Sequence, residues 1–221
     1  MINACITLLV MALANQTALE SDLSRVLAVA QKIESVFQKM ENYSCDIEAL
    51  YFQEGVKKQR YFLKYYFRRK GEYRIEFVQP YHGMVIYYRG GEEDLTVAPF
   101  GLLPGVKFRY PVNNALFRTP AGQRVDQIGI DYFLAFLFRN LRSLPQENPL
   151  IEDNNEEVSF RLQASDYIEG KTLEKYRIFV LKQNWLPSRL ERYDLKGQPI
   201  EITLFRNYRI NAPLKDHLFT P

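Results

Sequence analysis

The spacing of apolar residues changes from a helical to a strand period near residue 45. Between Leu23 and Met40, apolar residues recur at spacings of three and four, which predicts a helix with one face on an apolar surface. Beyond residue 45 the period is two, which predicts strands. A second helical pattern, near Gln127 to Leu141, interrupts the strands, and Asp126 is its expected N-cap.

The strand pattern is clearest on either side of the dipeptide Lys70-Gly71. Tyr73, Ile75 and Phe77 alternate with charged residues after it, and four apolar residues share one face of the stretch 60–69 before it. Lys70-Gly71 is therefore a predicted hairpin turn. Further strands are predicted at 84–88, 94–97, 106–110, 157–163, 173–182, 188–195 and 200–210. Short, regular connections between strands indicate an antiparallel sheet, and the absence of a repeat or a low-complexity linker favours one domain.

The first residues need a separate interpretation. The run from Ala4 to Ala14 is apolar, uncharged and ends in Ala12-Leu13-Ala14, which is typical of a secretory signal peptide and is too short to cross a bilayer. A buried N-terminal helix is the alternative. We predict a signal peptide over 1–14, a single mature domain over 15–221, and a periplasmic location. Cys45 is then the only cysteine left in the mature chain and is expected to be a buried, inert thiol.

Composition limits the range of partners. The 221 residues carry a net charge of +3, which is too small an excess to imply a nucleic-acid partner. The stretch 57–70 combines seven cations with five aromatic residues and no acid. Nucleic-acid-binding proteins use this combination, but the alternation favours a strand with a solvated basic face. A basic rim that attracts lipid phosphates is the functional interpretation that we retain.

Catalytic and metal-binding patterns are scarce. His82 and His217 are the only histidines, and the sequence has no phosphate loop, dinucleotide fingerprint or Cys-x-x-Cys. Carboxylates cluster at 92–94 and 152–157, both in contexts that resemble solvated turns. We therefore expect no metal, no cofactor and no enzymatic activity. A hydrolase that uses Glu92 and Glu93 is the weakest of three hypotheses.

Several short segments together resemble the periplasmic lipoprotein carriers of the LolA family. The order Arg69-Lys70-Gly71-Glu72-Tyr73-Arg74 is similar to the family's Arg-Pro-Gly, one residue, aromatic-Arg, with lysine in place of proline. The segments Ile86-Tyr87-Tyr88-Arg89-Gly90-Gly91, Leu186-Pro187, 191–197 and 211–219 also resemble it. The match spans most of the mature chain, and an uncharacterised group of LolA-like proteins is the expected relative.

The resemblance implies a fold and a site. The fold would be α+β and mainly antiparallel β, with about eleven strands in a curved, incomplete barrel wrapped around helices on its concave face. The resemblance also implies that Arg69 is a latch that helps to hold a helical lid closed.

An apolar cavity between sheet and helices would be the ligand site. The candidate lining residues are the apolar members of the central strands: Tyr61, Leu63, Tyr65, Phe67, Tyr73, Ile75, Phe77, Met84 and Ile86. An aromatic stripe of this kind also occurs in an ordinary filled core.

Two main hypotheses therefore remain. The first is a monomeric carrier of a lipid or of an acylated lipoprotein, with an envelope transport component as a further candidate partner. The second is an envelope structural or interaction protein with a sealed core and no small ligand.

Overall fold

The computed structural model describes residues 22–99, 105–143 and 149–220, so the predicted signal peptide lies outside the described residues. Residues 22–38 form helix α1, and helix α2 spans Ile130–Arg142. Short 3-10 helices occupy Ala115–Phe117, Val125–Gln127 and Asp216–Leu218. The strands are β1 Asn42–Gln53, β2 Val56–Arg68, β3 Glu72–Gln79, β4 Val85–Arg89, β5 Asp94–Ala98, β6 Phe108–Pro111, β7 Leu150–Asp153, β8 Glu157–Ser165, β9 Leu173–Leu181, β10 Leu186–Tyr193 and β11 Pro199–Ile210.

All eleven strands belong to one antiparallel sheet, in the order β6-β5-β4-β3-β2-β1-β11-β10-β9-β8-β7. Each half of the sheet is a meander, one from β1 to β6 and the other from β7 to β11. The pairing of β1 with β11 joins the two halves, and β6 and β7 are the outer strands. The predicted mainly antiparallel α+β fold, an incomplete barrel around helices, is confirmed.

The predicted hairpin at Lys70-Gly71 joins β2 to β3. Phe67 lies opposite Tyr73, and Leu63 lies opposite Phe77, so the apolar faces of both strands coincide. Gly71 has a φ of +73°, a conformation that glycine adopts without strain. Its carbonyl accepts a hydrogen bond of 2.6 Å from the Gly90 N–H, which ties this turn to the next one.

Helix α1 crosses the inner face of the sheet. Its buried stripe consists of Val26, Val29, Ala30, Ile33 and Phe37. At one end the Phe37 ring lies 5.7 Å from the ring of Phe67 in β2, and near the other end Arg25 lies 3.9 Å from Asp153 in β7. A single helix therefore contacts strands from both halves, because the sheet curves around it.

Helix α2 begins later than the sequence pattern predicts. Asp126 does not cap it, because both Asp126 oxygens accept hydrogen bonds from Arg124 at 2.8–2.9 Å within the preceding 3-10 helix. Gly129 is the N-cap instead. The helix then runs beneath the second half of the sheet, where the Phe136 ring lies 4.8 Å from the ring of Tyr176 in β9.

One strand was not expected from the sequence. Leu150–Asp153 forms the edge strand β7, although its two acidic residues suggested a solvated turn. The carboxylate of Glu152 is held on the strand by Arg161 of the neighbouring strand β8, at 2.9 Å, and by Arg177 of β9, the next strand in the sheet, at 3.2 Å. The charges therefore point outward from the sheet and do not prevent pairing. In the described residues, no helix is both long and apolar enough to span a bilayer.

Candidate ligand-binding cleft

A cleft of about 560 Å³ lies between the inner face of β1–β4 and the segment 115–128, which follows β6. This volume is within the range of about 300–1,000 Å³ that is common for small-molecule sites. The strands and their connections contribute Tyr51, Gln59, Tyr61, Leu63, Ile75, Phe77, Tyr81, Met84 and Ile86. The segment 115–128, which we call the cover, contributes Leu116, Phe117, Arg118, Thr119, Pro120, Val125 and Ile128.

Four aromatic rings form a continuous wall along the cleft. The Tyr51 and Tyr61 rings lie 5.6 Å apart, those of Tyr61 and Phe77 6.4 Å, and those of Phe77 and Tyr81 6.1 Å, each pair meeting edge to face. Edge-to-face contacts add stability beyond the burial of the rings. The wall crosses β1, β2 and β3 because strict alternation places these residues on the same face of neighbouring strands.

The cover is anchored at its ends and in its middle. The Phe117 ring packs 4.8 Å from the ring of Tyr110 in β6, and Val125 is buried in the core. Between them, the Thr119 carbonyl and hydroxyl accept hydrogen bonds from the N–H groups of Gly122 and Gln123, which close a tight turn. By contrast, the Leu116 side chain is 77% exposed at the mouth of the cleft.

The interior of the cleft is nearly free of charge. Burial raises the pKa of the Tyr51 hydroxyl well above its ordinary value, and the nearby Glu201 carboxylate adds to the effect. Burial also raises the pKa of the Tyr61 hydroxyl. Both hydroxyls are therefore neutral at physiological pH, and Arg118 is the one charged residue among those that line the cleft in the described part of the chain. Such a surface suits an uncharged apolar ligand.

No family model and no curated protein matches this sequence. Several solved structures do match this chain. One is an uncharacterised conserved protein of Thermus thermophilus, with a TM-score of 0.49 and 10% identity over 87% of this chain and 91% of that one. Another is a LolA superfamily protein of Nitrosomonas europaea, with a TM-score of 0.42 and 13% identity over 89% and 97% of the two chains. The lipoprotein LppX of Mycobacterium tuberculosis has a TM-score of 0.49 and 8% identity over 87% and 98%.

This chain is similar to LolA-like proteins. The sequence motifs resemble the LolA family, and one of the matching solved structures is a LolA superfamily protein. The TM-scores are below 0.5 and the identities are low, so the functional argument rests on the geometry of this chain itself.

Six of the nine predicted lining residues surround the cleft. They are Tyr61, Leu63, Ile75, Phe77, Met84 and Ile86. The other three, Tyr65, Phe67 and Tyr73, are packed in the core and do not line it. The Phe67 ring contacts Phe37 of α1, and the Tyr73 hydroxyl donates a 2.8 Å hydrogen bond to Asp131 of α2. Helices α1 and α2 therefore cover this part of the apolar stripe, which becomes core, and the remainder of the stripe lines the cleft.

Arg69, the predicted latch, binds the end of helix α1. Its Nε donates to the Met40 carbonyl at 2.6 Å, and Nη2 donates to the Phe37 carbonyl at 2.5 Å. Carbonyl groups at the end of a helix have no partner within the helix and attract a cation. Arg69 follows the end of β2 that is distant from the cleft, so the element it holds is α1 and not the cover.

The cover is the part of the site that sequence reasoning missed. The segment 113–125 is polar and contains a proline, a pattern that by itself predicts only a loop. Leu116-Phe117, an apolar pair within this polar stretch, is the signal that could have identified a lining segment. Tyr51 and Tyr81 were also missed, although Tyr51 continues the alternation of β1.

The structure offers little support for metal or carboxylate chemistry. Among the described residues, no group of three or more His, Cys, Asp and Glu side chains could hold a metal ion. Glu92 and Glu93 are exposed in the turn between β4 and β5, and Glu92 lies 3.8 Å from Arg89. Cys45 is buried, as expected, and burial raises the pKa of its thiol.

Proposed function

We propose that this protein is a periplasmic carrier or binding protein that holds an acyl chain of a lipid or lipoprotein in the cleft. The observation that supports it most is the open, almost uncharged cleft of about 560 Å³ beside the buried core. Burial stabilises an acyl chain by about 0.8 kcal/mol per methylene, so a chain of roughly 16 carbons retains several kcal/mol after ordering costs.

The proposal includes the less direct predictions from the sequence. Residues 1–14 are a signal peptide, 15–221 are one domain, and the mature protein is a monomer without enzymatic activity. The apolar run at 4–14 supports the signal peptide, and the resemblance to lipoprotein carriers supports the remaining points. An envelope transport component is the proposed partner for loading or delivery.

Native mass spectrometry of the mature protein purified from the periplasm tests the proposal first. We expect a co-purifying lipid or acylated peptide that is lost on delipidation. A clean mass, together with no uptake of an added fluorescent fatty acid, would show that the proposal is wrong.

A substitution that fills the cleft then tests its position. Leu63→Trp places a large ring among Tyr61, Phe77 and Ile75, so fluorescent fatty-acid uptake should fall about tenfold or more. The matched control is Leu181→Trp, at a half-buried leucine of β9 that does not line the cleft. Equal uptake by both folded variants would place the ligand elsewhere.

A second function is supported by the other half of the sheet. Phe160, Ile178 and Val180 on its inner face are completely buried. If the cover closed the cleft in the same way, the protein would be an envelope interaction module that meets its partner at the surface. The absence of fatty-acid uptake by a monomeric, folded protein would favour this function.

A further inference from the structure

The mouth of the cleft lies at one end of the first half of the sheet. The connections β1–β2 and β3–β4, the end of β5 and the start of β6 all lie at this end, because antiparallel strands alternate in direction. Gln59, Tyr81 and Leu116 line the cleft there. We call the residues 53–60, 78–85, 105–109 and 115–120 the cleft rim.

Exposed apolar side chains are concentrated on the cleft rim. Seven large apolar residues are exposed in the described part of the chain, and five of them belong to the rim: Val56, Val78, Tyr81, Phe108 and Leu116. Leu116 is 77% exposed and Val56 is 57% exposed. A sixth, Leu195, lies in the β10–β11 turn at the same end of the sheet. Exposed apolar groups that are clustered in this way mark an interaction surface.

The cleft rim is also strongly basic. It contains six cations, Lys57, Lys58, Arg60, Lys107, Arg109 and Arg118, and one carboxylate, Glu54. Arg60 is paired with Glu48 at 2.6 Å, and Arg109 lies 3.5 Å from Asp94, whereas Lys57, Lys58 and Lys107 are exposed with no ion pair among the described residues. The opposite end of the same strands has mixed charges, since Glu72, Glu92, Glu93 and Asp216 lie there together with Arg68, Arg69, Lys70, Arg89 and Lys215. Arg68 and Arg89 are paired with Glu72, so the larger excess of positive charge lies around the mouth of the cleft.

We infer that the cleft rim docks on the surface of an anionic lipid bilayer. Lysines attract anionic headgroups over about one Debye length, and short apolar and aromatic side chains insert at the level of the headgroups. Docking in this orientation would bring the mouth of the cleft against the lipid, so that an acyl chain enters without crossing water. The inference depends on the proposed function for its purpose, but its test does not.

Vesicle co-sedimentation tests the inference on the full mature protein. We expect binding to phosphatidylcholine vesicles with about one third phosphatidylglycerol, weak binding to pure phosphatidylcholine, and a decline with salt. Lys57→Glu/Lys58→Glu should lower the affinity for anionic vesicles about tenfold or more. Lys70→Glu/Lys215→Glu is the control, because it makes the same charge change at two exposed lysines at the opposite end.

Phe108→Ser adds an independent apolar test, because Phe108 belongs to the rim but does not line the cleft. We expect it to weaken the binding that remains at high salt. Equal binding by both charge-reversed variants, or equal binding of the wild type to neutral and anionic vesicles, would overturn the inference. Fatty-acid uptake measured on the same samples separates the two proposals, since Lys57→Glu/Lys58→Glu should retain it.

Discussion

The two halves of the sheet have the same strand pattern, but only one of them has an open inner face. In the β7–β11 half, helix α2 covers the inner side chains and leaves residues such as Phe160 and Ile178 with no exposure. In the β1–β6 half, Leu63 and Phe77 have the same alternation but line the cleft beneath the short cover. The alternation within a strand therefore determines which side chains face inward, whereas the element that covers the strand determines whether these side chains form core or cleft.

The inner regions of the two halves also differ in the charged side chains that they contain. The β7–β11 half buries Arg192 between Glu174 and Glu201, with hydrogen bonds of 2.8–3.1 Å to the two carboxylates. The Coulombic attraction of these groups outweighs desolvation and keeps the pKa of Arg192 above its ordinary value. The residues that line the cleft, in contrast, include a single charged side chain, Arg118. The buried network therefore lies in the half whose inner face is covered by α2, and the open cleft lies in the other half.

The largest effect is expected from breaking the buried network. Arg192→Ala leaves two buried carboxylates without their partner, so the free energy of unfolding should fall by about 3–5 kcal/mol. Urea denaturation measures the loss. Arg161→Ala is the control, because its pair with Glu152 is exposed and should contribute at most about 1 kcal/mol. Equal losses would show that the network does not distinguish the two halves.

The next effect compares one leucine from each environment. Leu137→Ala in α2 removes a completely buried side chain and should lower the free energy of unfolding by about 2–5 kcal/mol. Leu63→Ala, at the half-buried wall of the cleft, should cost less than half as much because little new cavity forms. Only Leu63→Ala should weaken fatty-acid binding. A larger loss of stability at Leu63 would contradict an open cleft.

A smaller effect is expected from Arg69. Arg69→Leu removes two hydrogen bonds to the end of α1 and should lower the free energy of unfolding by about 1–3 kcal/mol without changing the fold. If the resemblance to the carrier family extends to the latch, ligand release should also become faster. Stopped-flow release of a fluorescent fatty acid measures this. An unchanged release rate would show that Arg69 stabilises α1 without gating the cleft.

The smallest effect concerns acid stability in the turn between β8 and β9. Burial alone would raise the pKa of Asp166, but backbone N–H groups from Ile168 to Thr172 donate to it and hold its pKa well below the ordinary value. A depressed pKa stabilises the folded state above the unfolded pKa of about 3.9, and this stabilisation is lost as pH falls toward the folded pKa.

Asp166→Asn should therefore cost about 1 kcal/mol at pH 7 and less at pH 3. Urea denaturation at the two pH values measures the difference. Loss of the same free energy at both pH values would show that the ionised form of Asp166 is not what stabilises the turn.

The sequence predicts most of the sheet because its signal is local. Tyr73, Ile75 and Phe77 alternate within one strand, and Lys70-Gly71 specifies a turn of local geometry. Strand β7 is different, since Glu152 is acceptable in a strand only because Arg161 and Arg177 lie beside it in the fold. The cleft is still harder to predict from the sequence. Tyr61 and Tyr65 share a stripe, but helices cover only Tyr65, and no local pattern encodes where a helix packs.

The pairing of β1 with β11 also sets the order in which the chain can fold. Tyr43 lies opposite Ile210, so this ladder cannot form until almost the whole sequence has been synthesised or translocated. Contacts at such large separations are slow to form, because the intervening chain must be closed into a loop. Until then, the edge of β1 that does not pair with β2 is open to aggregation. The half that contains the cleft is therefore protected at this edge only after β11 has paired with it.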